Sequence, residues 1–135
     1  MNSIDSYFSK QLPVRQGLLA ALHKVIVDND KTVVAQVGKM MGKEMLIYHA
    51  PGTMKYALSS MKRHMSLHCL PIYGSAELHE KYRALLPLAS FQKGCINFKD
   101  ENELPLKIAS KLIRDCSPID LLKIREEYLK SKKGK

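Results

Sequence analysis

The segment Lys62–Gly74, KRHMSLHCLPIYG, constrains the fold of this chain more than any other stretch. Met65, Leu67, Cys69 and Pro71 fall on one side of an extended backbone, and His64, Ser66, His68 and Leu70 on the other. Alternation over this length marks a strand with one face packed on a core. The segment is therefore expected to be a central strand of a small antiparallel sheet covered by helices.

The rest of the chain supplies partners for it. KTVVAQVG from Lys31, MLIYH (Met45–His49), MKYALSS (Met54–Ser60) and CINFK (Cys95–Lys99) read as further strands. Gly38 and Gly42 bracket a KMM run and predict a bend or bulge, and Ala50-Pro51-Gly52 predicts a turn. Connections this short suit antiparallel neighbours, because a parallel crossover needs about a dozen residues. Helical spacing governs the remainder. A first helix is expected from Ser3, capped by its hydroxyl, to the break at Pro13. A second carries the stripe Val14, Leu18, Leu22, Val25 and Ile26 and ends near Asp28-Asn29-Asp30. Ser75 is the expected cap of a helix to Leu86, with Leu78, Tyr82, Leu85 and Leu86 facing inward. Glu103–Cys116 takes Pro105 in its first turn, where the missing N–H costs nothing, and buries Ile108, Ala109, Leu112, Ile113 and Cys116. A last helix follows Ser117-Pro118 through Leu121, Leu122, Tyr128 and Leu129. The whole predicts one α+β domain over residues 1–130, with a four- to five-stranded antiparallel sheet and helices mainly on one face. Residues 131–135 read as a basic disordered tail.

The totals agree with this reading and narrow the class. A chain of 135 residues suits one domain with a core of its own. No apolar run approaches the ~20 residues that span a membrane. MNSIDSYFSK lacks the basic and apolar regions of a secretory signal, and the three cysteines lack C-x-x-C spacing. Reduced thiols in a cytoplasmic protein are the expectation. Four charges of the net +9 crowd into the C-terminal tail as Lys130, Lys132, Lys133 and Lys135, so the excess elsewhere is moderate.

The order of elements, the opening NSIDSYFS, the segment VGKMMGKEMLIY, the central strand and FQKGCINFKDENELP together resemble the YdhG-like family, over about residues 2–116. The resemblance implies a frataxin-like arrangement of helices on one face of an antiparallel sheet. It also implies kinship with frataxin-like iron chaperones.

Candidate chemistry gathers at a few positions. His64 and His68 share a strand face but lie about 13 Å apart, at ~3.3 Å per residue, too far to ligate one ion together. A metal site there needs His49 or another neighbour, and polar residues on an outer sheet face are the plainer reading. Iron in transit prefers oxygen ligands, for which Asp100, Glu101 and Glu103 are the main cluster; charge at a helix N-terminus explains them equally. Cys95 is the candidate nucleophile, with Lys93 two residues away on the same face to lower its pKa; His68 or His64 could lie across the sheet, but no Cys–His–Asn/Asp arrangement is assignable and a buried structural cysteine is the commoner case. Cys69 and Cys116 read as packing. GKMMGKE has three residues between its glycines and Glu after the lysine, so it is not a phosphate-binding loop. Lys39, Lys43, Lys55, Lys62, Arg63 and Lys93 could form a basic surface for weak, sequence-independent nucleic-acid binding, although a solvated charged surface is the plainer reading.

An uncovered sheet face lined by Tyr48, Tyr56, Tyr73 and methionines suits a small ligand, a partner protein or a second copy. The function expected is thus a non-enzymatic binding or adaptor module. His64, His68, Tyr48, Tyr56, Lys93 and Cys95 are its candidate ligand-binding residues, with no resident cofactor. Iron chaperoning and nucleic-acid binding are the alternatives.

Overall fold

A computed structural model of the chain describes residues 3–40, 42–92 and 94–133. Helices α1 (Ser3–Ser9) and α2 (Pro13–Asn29) precede a meander of β1 (Val34–Met40), β2 (Lys43–Ala50), β3 (Thr53–Ser60) and β4 (Met65–Cys69). Two helices, α3 (Leu70–Tyr73) and α4 (Ala76–Leu85), lead to the hairpin β5 (Ser90–Gln92) and β6 (Cys95–Phe98). The helices α5 (Leu106–Cys116) and α6 (Leu121–Lys133) follow. All strands join one antiparallel six-stranded sheet in the order β1-β2-β3-β4-β6-β5. The expected α+β fold is present, with one strand more than anticipated. The addition is β5, three residues long and too short to show a period.

The alternating segment is a strand only as far as Cys69. Met65, Leu67 and Cys69 are buried as its pattern requires. The Cys69 N–H donates to the Gly94 carbonyl at 2.7 Å, and the chain then turns into α3. Pro71 sits in the first turn of that helix, where its missing N–H is harmless, so Leu70–Tyr73 leaves the sheet. Ser75 caps α4 as expected, accepting a hydrogen bond from the Leu78 N–H.

One face of the sheet carries the main core. Leu46, Tyr48, Tyr56, Leu58, Met65, Leu67, Ile96 and Phe98 meet Tyr7 of α1, Leu22 and Ile26 of α2, Tyr82 of α4, and Leu112 and Ile113 of α5. The α5 stripe buries Ala109, Leu112, Ile113 and Cys116 as read, but Ile108 is half-buried and the helix starts at Leu106, with Pro105 at its N-cap, rather than at Glu103. On α2 the buried residues are Leu19, Leu22 and Ile26, whereas Val14, expected in the stripe, is 87% exposed in the first turn. β1 and β2 pair as a hairpin, with Met40 opposite Lys43 and Gly42 at φ 78°. Several expectations lie outside the described residues: Met41 of the expected bend, all of Lys93, Gly134 and Lys135 of the expected tail, and the side chains of Ser3 and Tyr128. The helix α6 continues through Lys133, into the stretch expected as a disordered tail.

A bulge in β3 changes which way one lysine points. Tyr48 pairs with Tyr56 but His49 pairs with Met54, leaving Lys55 as the extra residue. Lys55 and Tyr56 then both reach the helix side, where Asp30 receives them. Lys55 Nζ lies 2.8 Å from Asp30 Oδ2 and donates to the Ser117 carbonyl at 3.0 Å. The Tyr56 hydroxyl donates to the same Oδ2 at 2.7 Å, and Thr32 donates to Oδ1 from its N–H and its hydroxyl. Burial alone would raise the Asp30 carboxyl, but the hydrogen bonds from Lys55, Thr32 and Tyr56 hold it below the usual carboxylate range. Lys55 is thereby removed from the basic surface expected of it.

Candidate functional site

The opposite face of the sheet is divided in two. Across β1, β2 and β3, Met45, Ile47 and Ala57 form a small apolar cluster against Met40 and Met54. The sequence predicts an exposed apolar patch here, yet Met45 is 3% exposed, Ile47 6% and Ala57 0%. Their burial corrects that expectation. Tyr48 and Tyr56, expected beside them, point to the helix side and are fully buried. Tyr48 ends on His23 Nδ1 at 2.8 Å, and Tyr73 lies exposed on α3.

Across β3, β4 and β6 the same face is polar. The register sets His68 directly opposite Cys95, and Ser66 opposite Asn97. Cys95 Sγ lies 3.0 Å from His68 Nδ1, and His68 Nε2 lies 3.2 Å from Ser59 Oγ. Ser59 is fully buried, whereas His68 and Cys95 are half-buried and reach the surface. A second row joins Ser66 to Asn97 and Asn97 to Gln92 of β5.

The electrostatics of this row follow from burial. It pushes the Cys95 thiol up and the His68 imidazole down, so thiol and neutral imidazole are the resting forms. In the tautomer protonated at Nε2, the thiol donates to Nδ1 and Nε2–H donates to Ser59 Oγ. Moving the thiol proton to Nδ1 creates a thiolate beside an imidazolium whose other N–H still rests on Ser59. Nucleophile, base and orienting group thus stand in one hydrogen-bonded line. The sequence placed His68 and Cys95 among the candidates but missed Ser59. Its signal was available in the alternation of MKYALSS, which turns Ser59 away from the face of Leu58.

The other candidates lie apart from this row. His64 precedes β4 in the β3–β4 loop, where its carbonyl accepts from the Met61 N–H at 2.7 Å. Asp100 and Glu103 are engaged by their own turn: Asp100 Oδ1 accepts from the N–H groups of Asn102 and Glu103, and Glu103 Oε1 from that of Lys99. Among the described residues, no group of three or more His, Cys, Asp or Glu side chains is placed to hold a metal ion. Cys69 and Cys116 are buried on the helix side with sulfurs 3.7 Å apart. Their mutual hydrogen bond, together with burial, drives the Cys116 thiol far above its ordinary range. Among the described residues, no helix is long and apolar enough to cross a membrane. No family model, curated protein or solved structure matches the chain.

Proposed function

We propose that the chain is a cytoplasmic, non-enzymatic binding module of the YdhG-like type that engages a partner protein through a thiol on the polar half of its sheet. The observation that carries this reading is the 3.0 Å contact between Cys95 Sγ and His68 Nδ1, continued to Ser59. Cys95 is the anchoring group, His68 the base that takes its proton, and Ser59 the residue that steadies the imidazole. A disulfide on the partner is the electrophile this arrangement suits. The Cys95 thiolate attacks one sulfur, the partner's S–S bond breaks as the mixed disulfide forms, and the departing thiolate takes the proton from His68. The row runs across β3, β4 and β6, which supports a partner laid across the strands. Burial of Lys55 against Asp30 weakens the nucleic-acid alternative.

Thiol labelling of the folded protein tests the reading. Iodoacetamide is expected to modify Cys95 while Cys69 and Cys116 stay protected, as peptide mass spectrometry will show. His68→Gln is expected to slow Cys95 labelling near neutral pH by about tenfold or more. Oxidised glutathione is expected to form its mixed disulfide at Cys95. Equal labelling rates with and without His68 would remove the base from the proposal, and a protected Cys95 would remove the site.

A further inference from the structure

Where the β2–β3 turn meets the α5–α6 connection, the fold forms a cavity of about 320 Å³, open to solvent past Pro51 and Pro118, that has no part in the thiol chemistry. Ala50, Pro51, Pro118, Ile119, Leu121 and Leu122 make its walls mainly apolar, and Lys55 lines it as well. The volume lies in the range of small-molecule pockets, roughly 300–1,000 Å³. Two features of the backbone shape it. The β3 bulge turns Lys55 inward, and bulges commonly re-aim a side chain at a functional site. Gly52, at φ 80°, leaves room for Leu122: a Cβ there would lie 2.9 Å from Leu122 Cδ2.

Charge then selects the occupant. The Lys55 ammonium has three protons, and the described residues supply acceptors for two, Asp30 Oδ2 at 2.8 Å and the Ser117 carbonyl at 3.0 Å. Asp30 already balances its charge, and Asp120, the residue before α6, brings a second carboxylate to the cavity wall. An anionic ligand would meet two carboxylates for one ammonium. A cationic ligand would be drawn to Asp120, exposed at the rim, and repelled from the buried Lys55 ammonium. A neutral oxygen takes the remaining proton without adding charge beside the buried ion pair. We infer that this cavity binds a small, largely apolar molecule bearing a neutral carbonyl, whose oxygen accepts from Lys55 Nζ while its body rests against Pro51, Pro118 and Leu122.

The test is a titration of the full chain by two-dimensional amide NMR with three matched probes: benzylacetone (a neutral ketone), hydrocinnamate (its carboxylate counterpart) and phenethylamine (a cation). Benzylacetone is expected to give saturable shifts at Lys55, Ser117 and Leu121, with a Kd of about 1 mM. Both charged probes are expected to bind at least about fivefold more weakly, the worth of one neutral hydrogen bond. Ile119→Trp, which adds bulk to the cavity wall and leaves Asp30 and Lys55 unsubstituted, is expected to abolish the shifts. No saturable shift by about 10 mM overturns the site. Equal or tighter binding of either charged probe overturns the ligand class. Undiminished binding to the tryptophan variant places the ligand elsewhere and overturns the location.

Discussion

At the scale of single residues, the chemistry of this protein depends on how far burial displaces ordinary ionisation. Burial holds His68 below the ordinary imidazole value of 6.5. His23, next to Tyr48, is lowered by burial too, against opposing pulls from Asp28 and Asp5. Below pH 6.5 the unfolded chain therefore takes up protons that the folded chain does not. Stability is present in full above that pH and falls as the pH drops toward the folded-state values. The urea midpoint is expected to decline across this acid window, and His68→Gln to make the decline shallower. An unchanged slope in that variant would place the linkage on other groups. The outward direction of His68 was legible in KRHMSLHC. The sequence leaves the histidine facing Cys95 open between His68 and His64, and the register of β4 with β6 gives the pairing to His68. The neighbour that spacing suggested for Cys95 was Lys93, whereas the group that meets its sulfur comes from across the sheet.

At the scale of elements, a single inserted residue accounts for the largest departure from the expected pattern. Strict alternation in MKYALSS puts Lys55 on the face of Ala57, away from the helices. The bulge turns Lys55 inward and carries Met54 to the outer cluster, because one extra residue exchanges faces from that point back to the start of the strand. No local pattern announces such an insertion, so the buried Asp30–Lys55 pair was not legible. It has a measurable consequence. Lys55→Met leaves Asp30 buried without its cation and is expected to cost about 3–5 kcal/mol in denaturant melts. Adding Asp30→Leu is expected to recover a large part of that loss, and a double variant no better than the single one would show the ion pair is not the source. Two glycines allow a similar comparison between turns. Gly42 and Gly52 both hold positive φ, at 78° and 80°, but a Cβ at Gly42 meets nothing described within 4 Å while one at Gly52 meets Leu122. Alanine at either is expected to cost about 1–2 kcal/mol from backbone strain. The greater loss belongs to Gly52→Ala, which also displaces Leu122, and equal losses would show that this side chain yields freely.

At the scale of the whole molecule, the chain returns to its own centre. After the meander it leaves through α3 and α4 and comes back as the β5–β6 hairpin, laying β6 beside β4 rather than extending the β1 edge. Strand existence could be read locally, but this insertion could not, and it creates both the polar row and the second contact that makes β4 central. It also brings the β4 layer under α5, where Cys69 and Cys116 meet with sulfurs 3.7 Å apart. Both thiols are fully buried, one on the sheet and one on the helix layer. Neither can be labelled unless the layers part. If sheet and helices form one cooperative unit, both thiols open with the same free energy, and that energy equals the global stability. Thiol labelling in increasing urea, below the unfolding transition, reads this directly. The rates for Cys69 and Cys116 are expected to rise together with the slope of global unfolding, while Cys95, already at the surface, responds little. A lower opening energy for Cys116 than for Cys69 would mean that α5 detaches while the sheet persists. The thiol row would then belong to a scaffold that can expose its core without unfolding, and the partner surface would have to include the helix side.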